Sequence, residues 1–113
     1  MTNDLSKYLI SPNLSIREVI KVIDQGAAQI ALVVDTKQRL LGTVTDGDIR
    51  RGLLKGETLE SSVNQVMHRE FRSLPADSQE SYALRLMREE TLHHIPGLDS
   101  KGSVVRLFLL EEL

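Results

Sequence analysis

The sequence contains no cysteine or tryptophan, few aromatic residues and almost no net charge. Of its 113 residues, none is Cys, two are Tyr and two are Phe. Without cysteine the chain has neither disulfides nor thiolate zinc sites, which favours a reducing compartment. A formal net charge of −2 argues against a nucleic-acid-binding protein, because such proteins usually present a basic face to phosphates.

Long hydrophobic runs are also missing. No stretch approaches the roughly 18 consecutive apolar residues of a membrane-spanning helix. The first ten residues include Asp4 and Lys7 and lack the apolar core of a signal peptide. We therefore expect a cytoplasmic protein that binds neither membrane nor nucleic acid, with room for one domain or two half-domains sharing a core.

An internal repeat organises the chain. In its first copy, Ser15 and Glu18 match a capping box, and Gly26 is a plausible helix end. Between them, apolar residues recur at helical spacing: Ile16, Val19, Ile20 and Ile23. Residues 30–35 and 40–44 predict two strands, and a second helix is predicted from Thr45-Asp46-Gly47-Asp48 through Leu54, with Gly56 ending it.

The second copy follows about 64 positions later. Asp77 and Glu80 are predicted to cap a helix that carries Ala83, Leu84 and Met87. Strands are predicted at 94–99 and 104–109, with Asp99 corresponding to Asp35. Short extended segments at 8–10 and 71–74 precede the first helix of each copy, and a short helix is predicted within 57–69.

These elements predict an α+β fold of two β-α-β-β-α-like halves, each with a three-stranded sheet. Neither half could bury its strands alone, so we expect the two to pack by pseudo-twofold symmetry. The predicted bounds are 8–56 for the first half, 57–69 for a linker and 70–113 for the second half. The last helix is truncated at Leu113, which suggests a longer parent protein with an effector domain downstream.

Residues Gly42-Thr43-Val44-Thr45-Asp46-Gly47-Asp48-Ile49-Arg50 resemble the motif of cystathionine-β-synthase (CBS) domains, in which a strand beginning near glycine leads into Thr/Ser-x-x-Asp at a helix start. The resemblance extends over about residues 8–113, as a tandem CBS pair or Bateman module. The version Asp46-Gly47-Asp48-Ile49-Arg50-Arg51-Gly52 looks like the CBS pairs fused to sugar-nucleotidyltransferase domains.

The resemblance implies a regulatory module that binds an adenine nucleotide (AMP, ADP or ATP), dimerises, and modulates an attached catalytic domain. By position in the motif, Thr45 would contact phosphate and Asp48 would hold the ribose hydroxyls. The adenine would lie against Gln29, Ile30 and Ala31 at the start of the first strand. Arg50 could also reach a phosphate, being nearer the helix start than Arg51. The remaining motif residues complete the predicted site: Gly42, Thr43, Val44 and Gly47.

The second copy departs from this motif. Arg106, Leu109 and Glu112 stand where the first copy has Gly42, Thr45 and Asp48. Leucine cannot form a hydrogen bond with phosphate, so we expect a single functional nucleotide site.

Alternatives remain open for the motif and for the chain. Thr45-x-x-Asp48 is itself a capping pattern and could be purely structural. The pair could be a dimerisation module with a vestigial, unoccupied pocket, or part of a catalytic domain that donates a substrate site. The sequence shows no constellation of nucleophile, base and oxyanion donors, so we do not expect an enzyme. His93 and His94 are adjacent on a predicted strand and point to opposite faces, which argues against a shared metal ion.

Overall fold

The computed structural model describes residues 5–26 and 28–113 and divides into two compact units. The first unit is Ser6–Phe71, and the second is Arg72–Leu113 together with Leu5. Residues 57–69, which the sequence predicted to be a linker, therefore lie within the first unit. No helix among the described residues is long and apolar enough to span a membrane.

The first unit contains β1 (Leu9–Ile10), α1 (Ile16–Gln25), β2 (Ala31–Val34), β3 (Leu40–Val44) and α2 (Asp46–Leu54). Its sheet has the order β1-β2-β3, with β1 parallel and β3 antiparallel to the central strand. Helix α1 is the connection that a parallel β1–β2 pair requires. The three-stranded sheet and the order of helices and strands along the chain agree with the sequence prediction.

Helix α1 begins at the predicted capping box. The Ser15 amide donates a 3.2 Å hydrogen bond to Glu18 Oε1, and the Glu18 amide donates one of 3.2 Å to Ser15 Oγ. These bonds satisfy amides that have no partner within the helix. At the other end, the Gly26 amide donates to the Val22 carbonyl at 3.1 Å.

The second unit repeats this topology with β4 (Leu74–Pro75), α3 (Glu80–Glu90), β5 (His94–Leu98) and β6 (Val104–Leu109). The sheet order is β4-β5-β6, again with one parallel and one antiparallel pair. After β6 the chain forms a single 3-10 turn, Leu110–Glu112, at the position of α2. The predicted repeat is thus present in the fold.

The β-hairpins of the two units match in detail. Asp35 Oδ1 accepts hydrogen bonds from the amides of Lys37 and Arg39, both at 2.9 Å. In the second unit Asp99 Oδ1 accepts from the amides of Lys101 and Ser103, also at 2.9 Å. In each hairpin the strand register shifts at the residue pair before the aspartate, Val33/Val34 and Gly97/Leu98. Both turns are therefore built by an aspartate that bonds to amides further along the chain.

Two local predictions were wrong. The N-cap of α3 is Gln79, and Asp77 instead lies in a turn closed by the Ser78 amide and the Pro75 carbonyl at 3.0 Å. The short strand is Leu74–Pro75 and does not span 71–74, because pairing with Gly97 and Leu98 fixes its position. The short helix predicted within 57–69 is a 3-10 helix of three residues, Val63–Gln65.

Each unit has a hydrophobic core of its own. In the first, α1 packs on the sheet around Ile16, Val19 and Val33, each fully buried. Val63 and Met67 join that core, which explains why residues 57–69 belong to this unit. In the second, Phe108 and Met87 are the largest core side chains. The pseudo-twofold packing of the halves stays a prediction.

Candidate functional site

The N-terminus of α2 is organised around the side chain of Asp48. Strand β3 ends at Val44, Thr45 is the N-cap, and the helix starts at Asp46. Asp48 Oδ2 accepts hydrogen bonds from the Thr45 amide at 2.9 Å and from the Thr45 hydroxyl at 3.1 Å. The Thr-x-x-Asp pattern therefore has a structural role at this helix start, whether or not a ligand also uses it.

The other carboxylate oxygen of Asp48 is held by Arg51. The Arg51 Nη2 atom lies 2.8 Å from Asp48 Oδ1, in an ion pair between residues three apart on the helix. The Asp48 side chain is 13% exposed and the Arg51 side chain 62%. Sequence reasoning preferred Arg50, whose side chain is exposed on α2. The i, i+3 spacing from Asp48 is the signal that could have identified Arg51.

Two glycines of the predicted site have different structural roles. A Cβ at Gly42 would lie 2.9 Å from the Met67 side chain and 3.0 Å from the His68 carbonyl. This closeness follows from the backbone bonds that Thr43 and His68 exchange, at 3.0 and 2.8 Å. The atoms nearest to a Cβ at Gly47 would be those of the Arg51 guanidinium, 3.2 to 3.6 Å away. Gly42 is therefore required by packing, whereas Gly47 lies beneath the exposed end of a long side chain.

The β2–β3 register brings the remaining predicted residues to the same end of the sheet. Ala31 pairs with Val44, so the start of β2 lies beside the strand end that leads into Thr45. Ile30, Ala31 and Val44 are buried, and Thr43 is a buried polar residue. Gln29 is exposed and has a φ of 59°, a left-handed conformation that is uncommon for a non-glycine residue. The structure thus places residues 29–31 next to the α2 N-terminus, although about 15 positions separate them in sequence.

Residues 1–55 match the family profile described as "CBS domain". Solved structures extend the likeness over nearly the whole chain. A putative acetoin utilization protein (AcuB) from Vibrio cholerae has a TM-score of 0.87 at 16% identity, over 99% of this chain and 82% of that one. The CBS domains of a transcriptional regulator from Streptococcus pneumoniae have a TM-score of 0.81 at 13% identity, over 98% and 90%. This chain has the fold of a CBS-domain pair.

A third structure of this fold contains a nucleotide. The cytosolic domain of the Mg²⁺ channel MgtE, solved in complex with ATP, has a TM-score of 0.77 at 19% identity. The match covers 94% of this chain and 43% of that one. At this identity the likeness establishes the fold alone.

The curated relatives are longer than this chain. An uncharacterized 17.7 kDa protein of Acidianus ambivalens is 24% identical over 106 residues, which is 94% of this chain and 64% of that protein. The arabinose 5-phosphate isomerase KpsF of Escherichia coli is 34% identical over 89 residues, or 78% of this chain and 28% of that protein. The chain thus spans less than two thirds of either relative. The chain is thus similar to CBS-domain modules, a type that is typically regulatory.

In the second unit, the positions that correspond to Gly42, Thr45 and Asp48 have different surroundings. The Arg106 guanidinium lies 4.1 Å from the centroid of the Phe108 ring, and its Nη2 is 2.8 Å from Glu80 Oε2. Leu109 is buried and Glu112 is exposed. A cavity of about 780 Å³ adjoins these three positions. It has space for a ligand, but it lacks the hydroxyl-carboxylate pair of the first unit.

Among the described residues no group of three or more His, Asp or Glu side chains could hold a metal ion. Burial at the start of β5 lowers the pKa of His94 below its ordinary value of 6.5, with a smaller contribution in the same direction from the charge of His93. His94 is therefore favoured in its neutral form.

Proposed function

We propose that this CBS pair binds an adenine nucleotide at one site in the first unit. Thr45 would contact phosphate, and Asp48 would accept hydrogen bonds from the ribose hydroxyls. Gln29, Ile30 and Ala31 would receive the adenine, and Arg50 would reach toward a phosphate. The site would be completed by Gly42, Thr43, Val44 and Gly47. One observation carries the proposal: the Ala31–Val44 pairing brings the start of β2 beside the capped α2 N-terminus. The ATP complex of MgtE, which has the same fold, supports an adenine nucleotide as the ligand.

The local chemistry favours a phosphorylated ligand in the first unit. The amides of the first turn of α2 and the positive end of its dipole attract anions. Arg50 and Arg51 offset the charges of Asp46 and Asp48 in the same helix. The ligand class therefore comprises AMP, ADP and ATP.

We further propose that the nucleotide modulates a catalytic domain in the same polypeptide. A ligand regulates only if it binds two conformations with different affinity, so such a domain must respond to a shape change in the CBS pair. The sequence suggested a sugar-phosphate nucleotidyltransferase. The name of the KpsF relative instead supports an enzyme that isomerises a sugar phosphate. Their shared feature, a sugar-phosphate substrate, is what we propose.

A homodimer is part of the same proposal. Leu53 and Leu54 at the end of α2 are 39% and 81% exposed. Two neighbouring exposed leucines are compatible with a contact to a second copy. An assembly module with an unoccupied pocket is the alternative function, and nucleotide binding separates the two.

The test is the affinity for AMP, ADP and ATP measured by isothermal titration calorimetry on the wild-type chain and on Asp48→Asn. Asparagine keeps an oxygen that can accept from the Thr45 amide but loses the charge and one of the two carboxylate acceptors. We expect at least about a tenfold loss of affinity, in line with the loss of a charge-assisted hydrogen bond.

Glu112→Gln is the matched control, because it neutralises the corresponding position of the second unit. We expect its affinity to equal that of the wild type. If none of the three nucleotides binds the wild-type chain, the ligand proposal fails and the assembly function is favoured. Equal losses in both variants would contradict a single site.

A further inference from the structure

The guanidinium of Arg51 covers the N-terminal turn of α2. Besides its 2.8 Å contact with Asp48, the group lies 3.2 to 3.6 Å from the position that a Cβ on Gly47 would occupy. It therefore lies directly over Gly47, at the turn where the proposed ligand would meet the helix. The absence of a side chain at Gly47 is what leaves this space for it.

The hydrogen bonds of Asp48 leave little capacity for a ligand. Each carboxylate oxygen offers about two acceptor positions. On Oδ2 both are used, by the Thr45 amide and hydroxyl, and on Oδ1 one is used by Arg51. A vicinal diol that donates two hydrogen bonds to Asp48 must displace one of these donors. Arg51 is the donor most easily displaced, because its side chain is 62% exposed and exposed ion pairs contribute little to stability.

We propose that Arg51 is an exchange residue. In the empty site it pairs with Asp48, and in the occupied site it releases Asp48 to the ribose hydroxyls and pairs with the ligand phosphate. A guanidinium suits this change of partner because its planar array of donors matches carboxylate and phosphate equally well. This inference rests on the proposed nucleotide function and assigns to Arg51 the preference for phosphorylated over unphosphorylated ligands.

The proposal predicts opposite effects on two ligands that differ only in phosphate. Removing the guanidinium frees Asp48 for a nucleoside but takes a charged partner from a nucleotide. For Arg51→Gln we expect AMP affinity to fall about tenfold, as for loss of a charge-assisted hydrogen bond. Adenosine affinity should stay unchanged or rise. The Kd for adenosine divided by the Kd for AMP should therefore fall by at least about tenfold.

Two further variants complete the experiment. Arg51→Lys keeps the positive charge without the planar donor array, and we expect it to restore part of the AMP preference. Lys21→Gln removes a positive charge from an exposed position on α1 and serves as the control, with the wild-type ratio expected. Melting temperatures of the free proteins confirm that all variants are folded.

The outcomes separate this inference from the proposed function. If the wild-type chain binds AMP and Arg51→Gln leaves the ratio of Kd values unchanged, the exchange role of Arg51 is overturned while the nucleotide site stands. If Arg51→Gln weakens AMP and adenosine equally, Arg51 acts only by supporting the site, and the exchange role is again overturned. If the wild-type chain binds neither ligand, both proposals fail.

Discussion

In the first unit the β-hairpin leads into the nine-residue helix α2, whereas in the second it leads into a three-residue 3-10 turn. The hairpins themselves are built alike, with an aspartate closing each turn and a register shift at the same place. The two units differ in the side chains that follow the shared framework. A glycine, a threonine and an aspartate create a polar helix start in one unit, and an arginine, a leucine and a glutamate stand there in the other.

This difference shows how one framework supports two kinds of surface. At Gly42 the backbone of residues 67–68 approaches too closely for a side chain. At the corresponding Arg106 there is room for a guanidinium that stacks on Phe108 and pairs with Glu80. The electrostatic surroundings differ as well, because two arginines follow Asp48 on α2, whereas Glu80 and Glu112 both lie beside the cavity that Arg106 lines.

The largest expected effect comes from replacing Gly42 with arginine, the residue at the corresponding position 106 of the second unit. Gly42→Arg places a side chain against Met67 and the His68 carbonyl, where even a Cβ would be 2.9 to 3.0 Å from its neighbours. We expect the free energy of unfolding to fall by about 3 kcal/mol, the upper part of the usual range for overpacking. Urea denaturation measures it.

The reverse exchange is the control. Arg106→Gly creates no overlap and loses a partly exposed ion pair and a cation–π contact, so we expect a loss of about 1 kcal/mol. Equal losses in the two variants would show that the close approach at Gly42 does not distinguish the units.

The next effect concerns the two acidic residues at corresponding positions. Asp48→Ala removes the acceptor of the Thr45 amide and hydroxyl, so the free energy of unfolding should fall by about 1 kcal/mol, as for other lost caps. Glu112→Ala, at an exposed position, should stay within about 0.5 kcal/mol of wild type. Thermal unfolding of both variants provides the measurement. A loss from Glu112→Ala as large as that from Asp48→Ala would contradict the structural difference between the two turns.

The capping bonds of Asp48 also change how its role must be tested. A ligand role alone would leave the fold of Asp48→Ala intact and weaken nucleotide binding, whereas a capping role alone would lower its stability. Because the capping bonds are present, Asp48→Ala should lose stability in either case. Asp48→Asn is therefore the variant that isolates binding.

The smallest effect is a pH dependence that His94 contributes in the second unit. His94 occupies the position of Ile30 in the first unit, and burial lowers its pKa below 6.5. Because the pKa of His94 is lower in the folded protein, the unfolded chain binds the proton at a higher pH than the folded chain does. Stability is therefore fully present above pH 6.5 and decreases as the pH falls through and below that value.

We expect the His94→Gln variant to lose the part of the stability that depends on the protonation of His94. Denaturant unfolding of both proteins between about pH 7.5 and pH 5 measures it, across the ordinary titration range of histidine. The difference in stability between wild type and variant should shrink toward low pH. Parallel curves for the two proteins would contradict a half-buried, neutral His94.

Periodicity and capping patterns predicted most of the fold. Ser15 and Glu18 marked the start of α1 because a capping box depends only on residues close in sequence. The same local logic failed at Asp77, because a turn from Pro75 to Ser78 positions that residue away from the α3 amides. Within 57–69 the predicted short helix has only three residues, and burial of Val63 and Met67 in the first core governs the path of the chain.

For the candidate site, the sequence is enough to identify the repeat, the Thr45–Asp48 pattern and the departures at Arg106, Leu109 and Glu112. The three-dimensional structure was needed to show that Gly42 makes room for residues 67–68, that the start of β2 lies beside Thr45, and that Arg51 is the arginine at Asp48. This division follows from the range of the interactions. Caps and turns are set within about one helical turn, whereas strand register and close backbone approach bring together residues that are distant in the chain.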